Sequence, residues 1–289
     1  MKLTYSSIIQ GCMGWGVWGA KLSENEMTDR IHHCLENGIT TFDHADIYGD
    51  YTTEASFGNA FSASNLARED IQIISKCGIQ YVGNTRDNEI KHYRYDADYI
   101  VWSAEKSISD LNSDYLDLLL LHRPSPLMQP DEVAKAVDKL ISEGKIRSFG
   151  LSNFTPSQTA LIASKSKVSA NQIEFSLTAI EALWNGSLDD MMLNDITPMC
   201  WSPLGSVFKE DNEQTRRIHK VLDDLNQKYN ATKDQLLLAW ILKHPSGIHP
   251  VIGTATPERI ANASKAASID LSEIDWFRML VSSQGHKVA

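Results

Sequence analysis

Four side chains of types that can move a proton lie beside short apolar segments of this sequence. Asp43, Lys76 and His122 each come directly after such a segment, and Tyr48 lies five residues beyond Asp43. Free tyrosine has a pKa near ~10, and a nearby ammonium group favours the phenolate and lowers that pKa. An aspartate can keep the ammonium charged and oriented, while a histidine can bind the substrate oxygen or relay a proton. Together the four predict a proton donor.

The elements that must position these residues follow an alternating pattern. Eight short apolar runs are separated by amphipathic stretches with helix-start signals, such as the capping box Ser23-Glu24-Asn25-Glu26 and Thr155-Pro156. The runs predicted as strands are Ser7–Cys12, Thr40–Phe42, Ile71–Ser75, Leu116–Leu121, Ser148–Leu151, Ala170–Glu174, Pro198–Trp201 and Ile248–Ile252.

Eight strand–helix units over 289 residues predict an α/β fold, a (β/α)₈ TIM barrel formed as a single domain over residues 1–289. A doubly wound sheet with a second domain is the main alternative. In a barrel the carboxyl ends of all strands meet on one face, so Asp43, Lys76 and His122 are expected to converge there. The long connections Cys77–Tyr95 and Phe175–Asp189 follow strands and should lie on the same face.

Composition excludes several classes of protein. The chain has 37 acidic and 27 basic residues and a net charge of −10, which argues against nucleic-acid and membrane partners. No apolar run approaches the ~20 residues of a membrane span, and Met1–Ser7 lacks the apolar core of a secretion signal. The four cysteines are far apart, so neither a zinc site nor a disulfide framework is predicted. We therefore expect a cytoplasmic protein.

One glycine motif points towards a different fold. Gly14-Trp15-Gly16-Val17-Trp18-Gly19 fits the G-x-G-x-x-G pattern of a dinucleotide-binding turn, and Asp43 follows a second strand. In that fingerprint the glycines open the helix, so that the pyrophosphate lies on the helix N-terminus. Here the capping box begins the helix at Ser23, beyond the glycines. The motif is therefore interpreted as a loop near a pocket mouth.

An ordered set of motifs resembles the aldo-keto reductase family. The motifs are Asp43-x-Ala45-x-x-Tyr48-Gly49, Lys76 at a strand end and Leu-Leu-His122-Arg-Pro124, within a resemblance that extends from Gly11 to about Ala263. Within the family the chain is most similar to the bacterial YdhF-like oxidoreductases. The resemblance implies a barrel that binds NADP(H) and reversibly reduces aldehydes or ketones, with hydride passing from the nicotinamide C4 to the carbonyl carbon.

The same resemblance implies a role for each of the four residues. Tyr48 would be the general acid in reduction and the base in oxidation. Lys76 would lower the pKa of Tyr48, and Asp43 would hold Lys76. His122 would orient the carbonyl group.

The resemblance also implies where the cofactor binds. Ser152, Asn153 and Gln172 would bind the carboxamide, which needs both donors and acceptors, and Trp201 would stack on the nicotinamide. A loop and helix start ending in Arg259 would hold the 2′-phosphate. The full set of expected cofactor contacts is Gly11, Cys12, Met13, Asp43, Ser152, Asn153, Gln172, Trp201, Ser202, Pro203, Leu204, Gly205, Gly253, Thr254, Ala255 and Arg259. Leu204–Arg217 is the expected lid over the pyrophosphate, with Lys209, Arg216 and Arg217 as candidate partners.

The substrate pocket is expected to have an apolar, aromatic mouth. Its predicted residues are Met13, Trp18, Tyr48, Ile79 and His122. In many members of the family that the chain resembles, a C-terminal loop narrows the substrate pocket. The tail after Ile269 is short, so this loop is expected to be small and the specificity for small-molecule carbonyl compounds to be broad. We expect a monomer or a weak homo-oligomer.

Two other classes of function remain open. A regulatory or redox-sensing protein could bind the cofactor with little turnover, although the complete set of four residues argues against it. A glycoside-cleaving barrel needs two facing carboxylates, and the strand ends offer Asp43 and Glu174, but Lys76 would neutralise Asp43. No metal site is predicted, because no H-x-H pair or other clear ligand set occurs.

Overall fold

Eight parallel strands form a closed barrel in the computed structural model, which describes residues 5–289. The strands are β1 Ile9–Gly11, β2 Thr41–Asp43, β3 Gln72–Cys77, β4 Ile79–Gln80, β5 His92–Tyr93, β6 Leu118–Leu121, β7 Phe149–Ser152, β8 Ala170–Glu174, β9 Thr197–Trp201 and β10 His249–Ile252. The order around the barrel is β1-β10-β9-β8-β7-β6-β3-β2, and β4 and β5 form a separate two-stranded sheet. The predicted barrel is confirmed.

Helices surround the barrel and connect successive strands. They are α1 Glu24–Glu36, α2 Tyr48–Tyr51, α3 Thr53–Ala63, α4 Ala97–Asp110, α5 Pro130–Ser142, α6 Pro156–Ala163, α7 Ser187–Leu193, α8 Glu213–Tyr229, α9 Lys233–Leu242, α10 Pro257–Ser264 and α11 Glu273–Gln284. The predicted capping boxes at Ser23 and Thr155 both form. Thr256 precedes α10, and its side chain makes no capping hydrogen bond.

The barrel interior is a small apolar core that leads directly to the site. Its buried side chains are Tyr5, Ile9, Ile74, Leu118, Leu120, Ala170, Met199 and Val251. Successive side chains of a strand point to opposite faces, so a residue two positions beyond an interior one also points inward. Lys76, His122, Gln172 and Trp201 lie two positions beyond Ile74, Leu120, Ala170 and Met199. The strand period thus places the four at one end of the interior.

The parallel register brings the neighbouring strand ends to the same level. Gly11 pairs with Asp43, and Lys76 pairs with Leu120, two residues before His122. Several strand bounds differ from the predicted ones by one or two residues; β3, for example, continues through Lys76 to Cys77. The difference arises because pairing with β6 continues to the end of that strand, whereas the sequence pattern registers only the apolar residues.

Both long connections contain structure of their own. The segment after β3 holds the β4–β5 hairpin, in which Ile79 pairs with Tyr93, and the segment after β8 holds a short 3₁₀ helix and α7. The glycine motif is a turn region that precedes α1, so the helix does not begin at the glycines.

The sequence analysis expected neither a membrane-spanning segment nor a secretion signal. Within residues 5–289, we find no helix that is both long and apolar enough to span a membrane. The segment Met1–Ser7, interpreted as lacking a secretion signal, lies partly outside the described residues, because these begin at Tyr5.

Candidate active site

Lys76 is the centre of the polar cluster at the carboxyl end of the barrel. Its Nζ donates to Asp43 Oδ2 at 2.7 Å, to the His44 carbonyl oxygen at 2.9 Å and to Tyr48 Oη at 3.0 Å. The Lys76 residue is 1% exposed and Asp43 is 2% exposed. Three acceptors therefore satisfy all three donors of a fully buried ammonium group.

Asp43 is held from both sides. Its Oδ2 accepts from Lys76 and its Oδ1 accepts from Gln172 Nε2 at 2.9 Å. Burial alone would lower the pKa of Lys76, but the charges and hydrogen bonds of Asp43 and Tyr48 together raise that pKa above its ordinary value. Lys76 is thus a permanent cation at neutral pH, and Asp43 is not free to act as one of two facing carboxylates.

Two opposing effects set the pKa of Tyr48. Burial raises the pKa of the Tyr48 hydroxyl, and the Lys76 charge lowers it, but the net direction is upward from the ordinary value. The Lys76 charge acts in the direction that the sequence analysis expected, but desolvation of this 9%-exposed residue has the larger effect on the pKa. Tyr48 is therefore protonated at neutral pH and able to donate.

His122 faces Tyr48 across the site. Their ring centroids are 6.1 Å apart at an interplanar angle of 79°. Burial, and then the charges of Lys76, Arg123 and Lys91, lower the pKa of His122 well below its ordinary value. Its Nδ1 is buried and has no hydrogen-bond partner among the described residues. His122 is thus a neutral imidazole with unused hydrogen-bonding capacity.

A second polar group forms beside the first, at the ends of β7 and β9. Asn153 donates to Ser152 Oγ at 2.8 Å and accepts from Trp201 Nε1 at 2.8 Å. Ser152 Oγ in turn donates to the Gln172 carbonyl oxygen at 3.0 Å. Asn153 lies in the left-handed region with φ 64°, a conformation that asparagine tolerates better than most residues. Amide, hydroxyl and indole groups are thereby placed together next to the Lys76 cluster.

The β10–α10 connection offers donors for a phosphate. In the described chain, the backbone N–H groups of Gly253, Thr254 and Ala255 donate to no protein group. The Thr254 carbonyl oxygen accepts from Gln10 Nε2 at 3.0 Å, which ties the loop to β1. Arg259, in the first turn of α10, is exposed. Unused amides, a helix N-terminus and a guanidinium suit a phosphate group.

Comparison with known proteins decides the family. The family model described as "Aldo/keto reductase family" matches residues 7–280. The chain belongs to the aldo/keto reductase family. It is therefore an oxidoreductase, as the motif resemblance implied.

Two relatives of this aldo/keto reductase match over almost their whole lengths. Oxidoreductase YdhF from Escherichia coli is 40% identical over 280 residues, covering 95% of this chain and 93% of the relative. The 6-dehydroglucose reductase of Agrobacterium fabrum is 37% identical over 294 residues, covering 100% of this chain and 97% of the relative. The predicted similarity to YdhF is confirmed.

A solved structure supports the fold. An aldo-keto reductase from Klebsiella pneumoniae, determined in complex with NADPH, has a TM-score of 0.78 and 22% sequence identity, covering 95% of this chain and 90% of that one. At this identity the likeness concerns the fold, and it agrees with the barrel described above.

The remaining predicted cofactor residues of this reductase lie around the two polar groups. Gly11 ends β1, and Met13 is 51% exposed at the mouth. Cys12 is fully buried among apolar side chains outside the barrel, so only its backbone could contact a cofactor. The segment after β9 turns at Ser202 and Gly205, whose φ angles are both positive. This segment holds four of the expected cofactor contacts: Ser202, Pro203, Leu204 and Gly205.

The expected lid is partly helical. α8 begins at Glu213, so Arg216 and Arg217 belong to a helix rather than to a loop. Arg216 pairs with Asp211 at 2.6 Å, and Arg217 donates to the Ser282 carbonyl oxygen at 3.0 Å near the end of α11. Arg217 is therefore directed towards α11. Lys209, the third candidate, is exposed on the turn.

Two aromatic side chains contact each other at the predicted mouth. Trp18 is 39% exposed and contacts Tyr81 edge to face, with ring centroids 5.2 Å apart. Ile79, at the start of the hairpin, packs in one cluster with Tyr48. The structure thus brings the predicted substrate-pocket residues to the same face as the Lys76 cluster.

Sequence reasoning missed the contacts that hold the turn after Tyr48. Gly49, Asp50 and Tyr51 all have φ near +60°, although two of them carry side chains. Asp50 Oδ2 accepts from Asn84 N at 2.7 Å, and Tyr51 Oη accepts from Tyr81 N at 2.9 Å. The hairpin therefore stabilises a backbone conformation that is unfavourable for non-glycine residues.

Sequence reasoning also missed the contacts of Arg86 with three aromatic side chains. Its guanidinium carbon lies 3.5 Å from the centroid of the Tyr51 ring and 4.9 Å from that of Trp102. It also donates to Tyr99 Oη at 3.1 Å. Tyr51 and Arg86 are separated by 34 residues in the sequence, and no motif there signals the contact.

Proposed function

We propose that this protein catalyses the reversible, NADPH-dependent reduction of aldehydes and ketones to alcohols, with Tyr48 as the proton donor. One observation carries the proposal: a buried Lys76 ammonium is shared between Asp43 and the Tyr48 hydroxyl, with the neutral His122 ring facing that hydroxyl. This arrangement can give a proton to an oxygen that becomes negatively charged.

The roles of the side chains follow from their protonation states. Tyr48 holds its proton at neutral pH and donates it as negative charge develops on the carbonyl oxygen. Lys76, 3.0 Å away, stabilises the phenolate left behind. Neutral His122 can donate one hydrogen bond to the same oxygen and so orient the carbonyl. In oxidation the same groups work in reverse, and the phenolate accepts the proton.

Asp43 and Gln172 act one step further from the reacting atoms. Asp43 keeps Lys76 charged and aimed at Tyr48, and Gln172 fixes the other carboxylate oxygen. Gln172 was expected to bind the carboxamide; its Nε2 is engaged by Asp43, and its Oε1 is the group that could serve that role.

The residues fit NADP(H). NADPH supplies the hydride when it is bound. Ser152, Asn153 and Gln172 offer donors and acceptors for a carboxamide, and Trp201 offers a partly exposed ring for stacking. The unused amides around Thr254, together with Arg259, suit a 2′-phosphate and favour NADPH over NADH.

The relatives support an aldehyde as substrate. A relative at 37% identity is named 6-dehydroglucose reductase. We infer that small aldehydes, including hydroxylated ones, are accepted here, and that the aromatic mouth around Trp18 and Tyr81 also admits aromatic aldehydes.

The test follows the oxidation of NADPH by absorbance with 4-nitrobenzaldehyde as substrate. Tyr48→Phe removes the proton donor, so kcat should fall by about 100-fold or more, within the range of general acid catalysis. Tyr115→Phe is the matched control: Tyr115 packs between Arg68 and Arg147, beside the Arg68–Asp117 ion pair and away from the Lys76 cluster. Its rate should equal that of the wild type.

Two outcomes would contradict the proposal. Equal rates in wild type and Tyr48→Phe would show that Tyr48 is not the acid. Tight NADPH binding with no turnover of any carbonyl compound in a broad panel would instead favour a cofactor-binding regulatory protein.

A further inference from the structure

Arg123 directly follows His122 and extends across the barrel mouth. Its guanidinium carbon lies 5.5 Å from the centroid of the Trp201 ring. Its backbone is held by the buried Tyr95, whose hydroxyl donates to the Arg123 carbonyl oxygen at 2.6 Å and accepts from the Arg123 N–H at 3.2 Å. A firmly anchored backbone therefore presents this cation between the two residues expected to contact the carbonyl group and the nicotinamide.

The guanidinium of Arg123 has no polar partner in the part of the chain that the structure describes. No carboxylate oxygen lies within 4.0 Å of it, and it donates no hydrogen bond to the protein. By contrast, Arg68 pairs with Asp117, and Arg217 donates to carbonyl oxygens near the end of α11. Arg123 is half-buried, and a partly desolvated charge is unfavourable unless it is paired. Its five N–H donors are available to a ligand.

A second cation adds to the same local field. Lys91 lies on the hairpin segment, is exposed, and forms no ion pair with the protein in residues 5–289. After burial and Lys76, the charges of Arg123 and Lys91 are the further causes that lower the pKa of His122. Arg123 and Lys91 thus both add positive potential at His122, on a chain with a net charge of −10. Positive charge beside a site attracts an anionic ligand.

We propose that Arg123 is a specificity-determining residue that selects carbonyl substrates carrying an anionic group, a carboxylate or a phosphate. A guanidinium binds either group through two parallel hydrogen bonds. The substrate carbonyl oxygen lies between Tyr48 and His122, and the anionic group at the other end of a small molecule contacts Arg123. The inference rests on the proposed reductase function and names the substrate class of that same site.

The test compares two aldehydes of nearly equal size and shape, 4-carboxybenzaldehyde and 4-carbamoylbenzaldehyde. Hydrogen bonds to charged groups contribute ~1.5–3 kcal/mol, so the wild type should favour the acid over the amide by roughly 10- to 100-fold in kcat/KM. Arg123→Gln should lower kcat/KM for the acid far more than for the amide, so that the ratio approaches one. Arg123→Lys should keep an intermediate ratio, because it retains the charge without the fork.

Arg94→Gln is the matched control. Arg94 is an exposed cation three residues beyond Lys91, and it is paired with Asp96 at 2.6 Å. Both aldehydes should react with this variant as they do with the wild type. A phosphate-bearing aldehyde, glyceraldehyde 3-phosphate, compared with glyceraldehyde, distinguishes phosphate from carboxylate as the preferred anion.

The outcomes separate this inference from the proposed function. No turnover of any aldehyde would overturn the proposed function itself. Turnover with equal kcat/KM for acid and amide in the wild type would overturn only the role of Arg123. An equal loss for both aldehydes in Arg123→Gln, together with weaker NADPH binding in a fluorescence titration, would assign Arg123 to the cofactor and overturn the inference.

Discussion

At the scale of single residues, the site depends on how one buried ammonium group is shared. Lys76 contacts Asp43, Tyr48 and a backbone carbonyl, and each contact satisfies one of its donors. Removing Asp43 would leave a buried cation without its partner, which generally costs several kcal/mol. Tyr48 is protonated because burial, which raises its pKa, outweighs the Lys76 charge, which lowers that pKa. His122 is neutral because burial and the Lys76 charge both lower its pKa.

The protonation states predict the pH dependence of the reaction. Reduction needs protonated Tyr48, whose pKa is raised above its ordinary value of about 10. The kcat for reduction should therefore be constant through neutral pH and fall only in strongly alkaline solution, whereas oxidation should speed up as pH rises. The measurement is kcat against pH in both directions with saturating cofactor.

A different profile would change the assignment. If the kcat for reduction falls as pH rises through about 6.5, the ordinary pKa of histidine, protonated His122 supplies the proton. His122→Asn would then remove that step in the profile, and Tyr48→Phe would not.

At the scale of elements, two carboxyl groups are buried between the barrel and its helices. Glu54 on α3 accepts from Ser75 Oγ of β3 at 2.5 Å, and Asp46 accepts from Ser103 Oγ of α4 at 3.1 Å. Burial raises the pKa of Glu54 to about 7 and that of Asp46 to about 7. The first contact connects α3 to β3, and the second connects α4 to the segment that leads from Asp43 to Tyr48.

The raised pKa of Glu54 predicts how stability varies with pH. Folded Glu54 keeps its proton to about pH 7, whereas the unfolded group loses it near pH 4. The stabilisation is therefore complete below about pH 4 and is lost as pH rises through about 7. A pKa difference of this size corresponds to roughly 3 kcal/mol.

Glu54→Gln should accordingly reduce the fall in unfolding free energy between pH 5 and pH 8, measured by urea denaturation. Exposed Glu89→Gln is the control and should follow the wild-type curve. Parallel curves for wild type and Glu54→Gln would show that Glu54 is ionised in the folded protein across this range.

At the scale of the whole molecule, an acidic chain must bind a cofactor that is itself a polyanion. The net charge of −10 opposes that binding at long range. Binding must therefore come from local donors such as the amides around Thr254 and the Arg259 guanidinium. That residues 1–289 form one domain stays a prediction, as does the oligomeric state.

Arg259→Gln should weaken NADPH while leaving NADH almost unaffected, because only NADPH has a 2′-phosphate. An exposed charged hydrogen bond contributes about 1.5 kcal/mol, so the KM for NADPH should rise about tenfold. The effect should diminish as salt concentration rises. Equal changes in KM for both cofactors would place Arg259 away from the 2′-phosphate.

Much of the architecture could be predicted because it is encoded locally. The apolar runs, the capping box at Ser23 and the proline at Pro156 are patterns within a few residues, and each marks an element that the structure contains. The convergence of Lys76 and His122 was also predictable, because a barrel brings the ends of its strands to one face. The exact ends of the strands could be predicted less well, since hydrogen bonding to a neighbouring strand sets them.

The sequence by itself determined the family, the barrel and the four polar residues, because motif order and strand period are properties of the chain alone. Only the tertiary structure decided the protonation of Tyr48, the bond from Gln172 to Asp43 and the position of Arg123 over Trp201. The physical reason is that desolvation and contacts across the barrel depend on groups distant in sequence. Residues 43 and 172, for example, are separated by 129 positions yet share a hydrogen bond.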